Sequence, residues 1–287
     1  MDQPYQRSKP VILTRIIWLL LLVGGLLYLL VCAGMALTQR SLIYFPAVFT
    51  RAQVDQMAQS ARLERWTNSA GKFIGLKRPS PRQPAEGMVM ILYGNAGTAV
   101  GCEHYVNDIQ NVAALDVFIL EYPGYEDRPG PASQRSLFAA AGEAFRTLPA
   151  NRPIYLVGES LGSGVAAFLA GTYSDKIAGA VLISPFNSVT AVAQNRFPLL
   201  PVRLILVDRF PSEDYLRNYH GKVGITVGGR DTNVPEKFGL RLYAGYTGPK
   251  KLWEFPGGGH IAIMMPPAKF WMEVVAFWQT DLPANRE

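Results

Sequence analysis

The pentapeptide Gly158-Glu159-Ser160-Leu161-Gly162 constrains this chain more than any other stretch. Ahead of it stands Ile154-Tyr155-Leu156-Val157, an apolar run opened by Pro153 and long enough for a buried strand. Behind it, residues 163–170 are small and mostly apolar, suited to a helix packed closely on a sheet. A serine at such a junction sits on a turn so sharp that only glycine-sized neighbours fit. The turn lifts the hydroxyl above the sheet. It also aims the next backbone N–H, at a helix N-terminus, toward developing negative charge. Taken alone the pattern has a plainer account, in which Gly158 and Gly162 merely let a helix approach a strand.

The flanking sequence alternates between strand-like and helix-like segments. Residues 62–67 and 73–77 alternate in polarity and are joined by the turn-like 68–71. Residues 88–93, 117–121, 177–183, 223–227 and 251–255 read as further strands. Helices are expected over 100–114, from a Ser133 cap through Leu148, directly after the pentapeptide, over 236–246 and over 268–280. Residues 188–219 read as a helical, proline-punctuated insertion with an apolar middle at 197–207. This order predicts an α/β domain with a mostly parallel sheet and helices on both faces. The expected division is a flank (1–15), a transmembrane anchor (16–37) and one domain (38–287), within which 188–219 forms a small cap.

The anchor expectation rests on residues 16–37, which carry no charge and exceed the ~20 residues that cross a bilayer as a helix. A signal peptide competes, since Gly34-Met35-Ala36 resembles a cleavage site, but the run is long for that role. Arg7, Lys9 and Arg15 precede it, while Arg40 and Arg51 follow. The bias places the N-terminus in the cytoplasm and the domain on the opposite side. Residues 39–46 are amphipathic and aromatic, suited to the membrane surface. The net charge is +6, yet the basic residues are scattered without a dense run, so no nucleic-acid partner is expected. Two cysteines, Cys32 within the apolar run and Cys102 beyond it, offer neither a disulfide framework nor a zinc site.

A serine nucleophile needs a base, and the base an orienting acid. Function in such sheets collects at the carboxyl ends of strands. Among His104, His220 and His260, only His260 directly follows a strand, in Pro256-Gly257-Gly258-Gly259-His260. Asp231 follows the strand at 223–227 and completes the order Ser160, Asp231, His260. Asp208, Glu213 and Asp214 fall in the insertion and read as solvated or capping charges. Oxyanion donors are expected from the Leu161 N–H and the Gly94-Asn95-Ala96-Gly97 loop, with Asn95 as donor and Ala96 as alternative. Tyr93, Tyr125 and Phe186, each beside a strand end, are expected on the substrate side.

These motifs, with Ser184-Pro185-Phe186 and Gly229-Arg230-Asp231-Thr232-Asn233-Val234-Pro235, resemble the α/β-hydrolase superfamily. More narrowly they are similar to its single-anchor serine hydrolases, grouped with serine aminopeptidase-like and depalmitoylase-like proteins. The resemblance covers nearly everything after residue 39. It implies an eight-stranded sheet, no metal or organic cofactor, and a Ser160–His260–Asp231 triad cleaving an ester, thioester or amide. One position departs: Tyr93 stands where that branch usually carries histidine. The expected function is a membrane-anchored serine hydrolase acting on a small or lipid-like acyl ester or thioester. A peptidase is the alternative enzyme, and an anchored non-catalytic binding module the alternative class.

Overall fold

The structure is a computed structural model that describes residues 9–280. The expectations for residues 1–8, including Arg7 in the flank, lie outside the described residues. The first helix, α1 (Lys9–Ile43), is long and apolar enough over Leu13–Ile43 to cross a membrane. It runs past the apolar stretch because nothing from Thr38 to Ile43 breaks a helix, and it ends just before Pro46. Next comes α2 (Arg51–Ser60), absent from the sequence expectations. Its signal was a capping box: Thr50 Oγ1 accepts the Gln53 N–H, and Gln53 Oε1 accepts the Thr50 N–H.

Eight strands follow: β1 (Glu64–Thr67), β2 (Phe73–Arg78), β3 (Gly87–Leu92), β4 (Leu115–Leu120), β5 (Ile154–Glu159), β6 (Ile177–Ile183), β7 (Lys222–Gly228) and β8 (Lys250–Phe255). They form one sheet in the order β1-β2-β4-β3-β5-β6-β7-β8. β1 and β2 pair antiparallel to each other, and β2 pairs antiparallel to β4; every later pairing is parallel. The central strands are apolar on both faces because helices cover both: β3, β5 and β7 are buried throughout.

The covering helices are α3 (Glu103–Val112), α4 (Gln134–Thr147), α5 (Leu161–Thr172), α9 (Glu236–Gly245) and α11 (Ala268–Gln279). As expected, Ser133 caps α4: its hydroxyl accepts the Ser136 N–H at 3.0 Å. Residues 188–219 hold three short helices, α6 (Val189–Arg196), α7 (Val202–Ile205) and α8 (Ser212–Leu216). Where a glycine-rich loop was expected to carry His260, the residue opens a single-turn helix, α10 (His260–Met264).

The insertion leans on α1. Tyr28 donates its hydroxyl to the Leu199 carbonyl at 2.9 Å. Gln39 donates to the Ile205 carbonyl and accepts the Val207 N–H. Asp208, read from sequence as a solvated or capping charge, is buried and accepts from Arg40 (3.1 Å) and Tyr44 (3.0 Å). A buried carboxylate needs such partners, and they come from the last turn of α1 and the residue just after it.

Candidate active site

Four neighbouring strands deliver four polar side chains to one end of the sheet. Ser160 directly follows β5, Ser184 directly follows β6, β7 leads to Asp231 and β8 to His260. Ser160 has φ 47° and ψ −115°, a conformation side-chain-bearing residues rarely adopt. Its N–H donates to the Ile183 carbonyl at 2.8 Å, and its carbonyl accepts from Ser163, which pins the turn to the adjacent strand. The flanking glycines are sterically required. A Cβ on Gly162 would lie 1.9 Å from the Leu92 carbonyl oxygen, and one on Gly158 would lie 2.7 Å from the Ala166 Cβ.

Asp231 Oδ2 and His260 Nδ1 stand 2.6 Å apart. The other carboxylate oxygen accepts the N–H groups of Asn233 and Val234. Burial pulls the Asp231 carboxyl upward. The hydrogen bonds from His260, Ser184 and Val234 outweigh it and hold the group below its ordinary value. Ser184 carried no assigned role in the sequence reading. It donates to Asp231 Oδ2 at 2.6 Å and lies 3.1 Å from His260 Nδ1. A serine directly after a central strand, inside Ser184-Pro185-Phe186, was the available signal.

Ser160, Leu161, Asn95, Phe186 and His260 line one cavity of about 960 Å³, with Asp231 behind the imidazole. Further walls come from α1, the insertion, the 94–97 and 232–235 loops and α10, and the α1 and insertion walls are mainly apolar. The Asn95 peptide is held from two sides. Its carbonyl accepts the Phe45 N–H (3.1 Å) and the Tyr125 hydroxyl (2.7 Å), while its side-chain amide donates to the Ile43 carbonyl at 2.9 Å. Glu159 turns away from the sheet axis toward Tyr105, whose hydroxyl it accepts at 2.8 Å. It lies so close to Gly94 that a Cβ there would meet its Oε1 at 2.7 Å. Burial raises the Glu159 carboxyl despite the bonds from Tyr105 and the Gly94 N–H.

Two expected substrate contacts sit elsewhere. Tyr93 and Tyr125 are fully buried behind the 94–97 loop and do not line the cavity. Their rings pack with Tyr122 in an aromatic cluster. The Tyr93 hydroxyl donates to Glu121 and accepts the Tyr122 N–H, and the Tyr122 hydroxyl donates to the Tyr93 carbonyl. Glu121 also accepts the Ala99 N–H, and burial pushes its carboxyl well up. Tyr93 therefore supports the loop from below. The Tyr93→Phe variant removes the two hydrogen bonds of the buried phenol and, at about 0.5–1.5 kcal/mol each, is expected to lose about 1–3 kcal/mol of stability in denaturant unfolding. Tyr93→His should leave acyl-chain preference unchanged in a series of esters, because the ring does not face the cavity.

Comparison with known proteins agrees with this architecture. A family model described as alpha/beta hydrolase fold matches residues 87–215. An uncharacterized protein of Mycobacterium tuberculosis is 31% identical over 228 residues, spanning 77% of this chain and 80% of that protein. The lysophosphatidylserine lipase ABHD12 of Danio rerio is 27% identical over 185 residues, or 56% of this chain and 47% of that protein. Among solved structures, an esterase of Pyrococcus furiosus superposes with a TM-score of 0.59 at 15% identity, covering 82% of this chain and 96% of that one. At that identity the likeness is one of fold. The family model, the mycobacterial relative and the sheet order agree: the chain belongs to the alpha/beta hydrolase family.

Proposed function

We propose that the protein is a membrane-anchored serine hydrolase that transfers an acyl group to Ser160 and then to water. The observation that carries this reading is the short Asp231–His260 bond beside a serine held on a strained turn facing an apolar cavity. In this scheme Ser160 Oγ attacks the acyl carbonyl while His260 Nε2 takes its proton. The tetrahedral oxyanion is held by the Leu161 and Asn95 N–H groups. His260 then gives the proton to the leaving alkoxide, and the acyl–oxygen bond of the substrate breaks. Water repeats the sequence against the acyl-enzyme and restores Ser160. Asp231 fixes the imidazole tautomer, with its proton on Nδ1, and stabilises the imidazolium; Ser184 and two backbone N–H groups fix Asp231.

The cavity favours an acyl ester over a peptide. Among the described residues its one lining carboxylate is Glu159, already engaged by Tyr105, so none of them offers a free acid to receive a peptide's amino terminus. A lysophospholipid, named in the ABHD12 relative, has the single acyl chain that such a cavity suits. In this reading α1 spans the bilayer with the N-terminus in the cytoplasm, following the basic residues before it. Labelling by a fluorophosphonate, located on Ser160 by mass spectrometry, tests the proposal; a protein that resists the reagent and hydrolyses no acyl ester would refute it.

The acid side of the pH profile follows from the same network. Asp231 is held below the ordinary carboxylate range by its hydrogen bonds, so it stays ionised as pH falls through that range. The pH profile of kcat/KM is therefore expected to carry no step from Asp231 above about pH 4, the ordinary aspartate region. A carboxyl-carbon NMR titration of Asp231 centred at or above about pH 4 would refute this.

A further inference from the structure

α1 does more than precede the domain. Met35, Gln39 and Leu42, spaced by four and three residues, lie on one helical face and form a wall of the cavity. Leu200 and Ile205 of the insertion form the facing wall. Tyr28, touching Leu199, is fifteen residues before Ile43, roughly 22 Å up the helix at ~1.5 Å per residue. The insertion therefore climbs alongside the apolar stretch, not beneath it. Its outward side chains match that position: Leu199, Leu204 and Val207 are 86%, 83% and 65% exposed. Arg196, Arg203 and Arg209 are exposed around them. Exposed large apolar side chains interspersed in sequence with arginines, next to a long apolar helix, make a surface suited to the headgroup and acyl boundary of a bilayer.

We propose that the cavity is loaded from the lipid leaflet, through the seam between α1 and residues 197–207, by a single-chain acyl lipid. This rests on Ser160 being the nucleophile. The acyl chain would lie along Met35 and Leu42, its carbonyl beside Ser160, without passing through water.

The test uses the full-length protein reconstituted in phosphatidylcholine vesicles. Leu199→Asp combined with Leu204→Asp changes side chains outside the cavity. The pair is expected to lower kcat/KM for a vesicle-held long-chain monoacyl ester at least tenfold, while a water-soluble acetate ester is cleaved within twofold of wild type. Unchanged hydrolysis of the vesicle-held ester, or equal loss on both substrates, would overturn the proposal. Leu204→Ser provides a milder change should the double variant fail to fold, with a smaller shift in the same ratio. A second readout is independent of turnover. A nitroxide on Leu204→Cys should be more accessible to oxygen than to a water-soluble nickel complex. Greater nickel access, or shielding from both as a protein partner would give, would overturn it. Fluorophosphonate labelling of the wild type separates the two readings: its absence removes the Ser160 assignment, while the nitroxide still decides membrane contact.

Discussion

Ser160→Ala is expected to abolish covalent labelling and to lower kcat by about 10³-fold or more, with KM little changed. In the proposed mechanism this hydroxyl forms the acyl-enzyme. Removing it leaves the cavity, the oxyanion donors and the Asp231–His260 bond in place, so binding should persist. The residual rate would come from water activated by His260 within the same site. His260→Ala should produce a loss of the same order, and the double variant little more, because the two act as a unit. Steady-state kinetics on one ester decides the matter. A Ser160→Ala protein that hydrolysed it at the wild-type rate would end the serine mechanism.

The second large effect is structural. Gly162→Ala would place a methyl group 1.9 Å from the Leu92 carbonyl oxygen, with the Tyr93 carbonyl oxygen 2.5 Å away. Both obstacles are backbone, at the end of β3, so no side chain can rotate to make room. Either α5 moves off the sheet or β3 moves with the 94–97 loop attached to it. The expected cost is about 3 kcal/mol or more, at the upper end of overpacking effects. Labelling should fall along with stability, because the same displacement separates Ser160 from Asn95. A thermal melt together with fluorophosphonate labelling checks both. Wild-type stability would show that the elbow has more room than the backbone positions indicate.

Much of this arrangement was legible in the sequence, and the exceptions share a cause. β6 was read over 177–183 without error, because an apolar run covered on both faces needs no partner to be recognised. Ser160, Asp231 and His260 were picked out by their place after strands, and the structure gathers them at one end of the sheet. Tyr93 was misplaced because β3 is buried on both sides, so alternation along the strand cannot say which way its last ring turns. The deciding partner, Glu121, lies beyond another strand. The contacts made by the end of α1 were hidden for a similar reason. Arg40 looks like the boundary of an apolar run, but its ion pair with Asp208 spans 168 positions of sequence. α2 is polar, with only Val54 and Ala58 buried, and gave no clear periodicity.

The stripe on α1 also fixes a phase. Tyr28, Met35, Gln39 and Leu42 are separated by seven, four and three residues, close to whole turns at 3.6 residues each. Insertion of one residue between Tyr28 and Gln39 would rotate one set of contacts by about 100° against the other. Leu199 would lose its hydrogen bond, or Met35 and Leu42 would swing out of the cavity. An arbitrary apolar helix of the same length would therefore not replace α1: it has a required rotational setting, written in a part of the chain that hydropathy alone would treat as interchangeable.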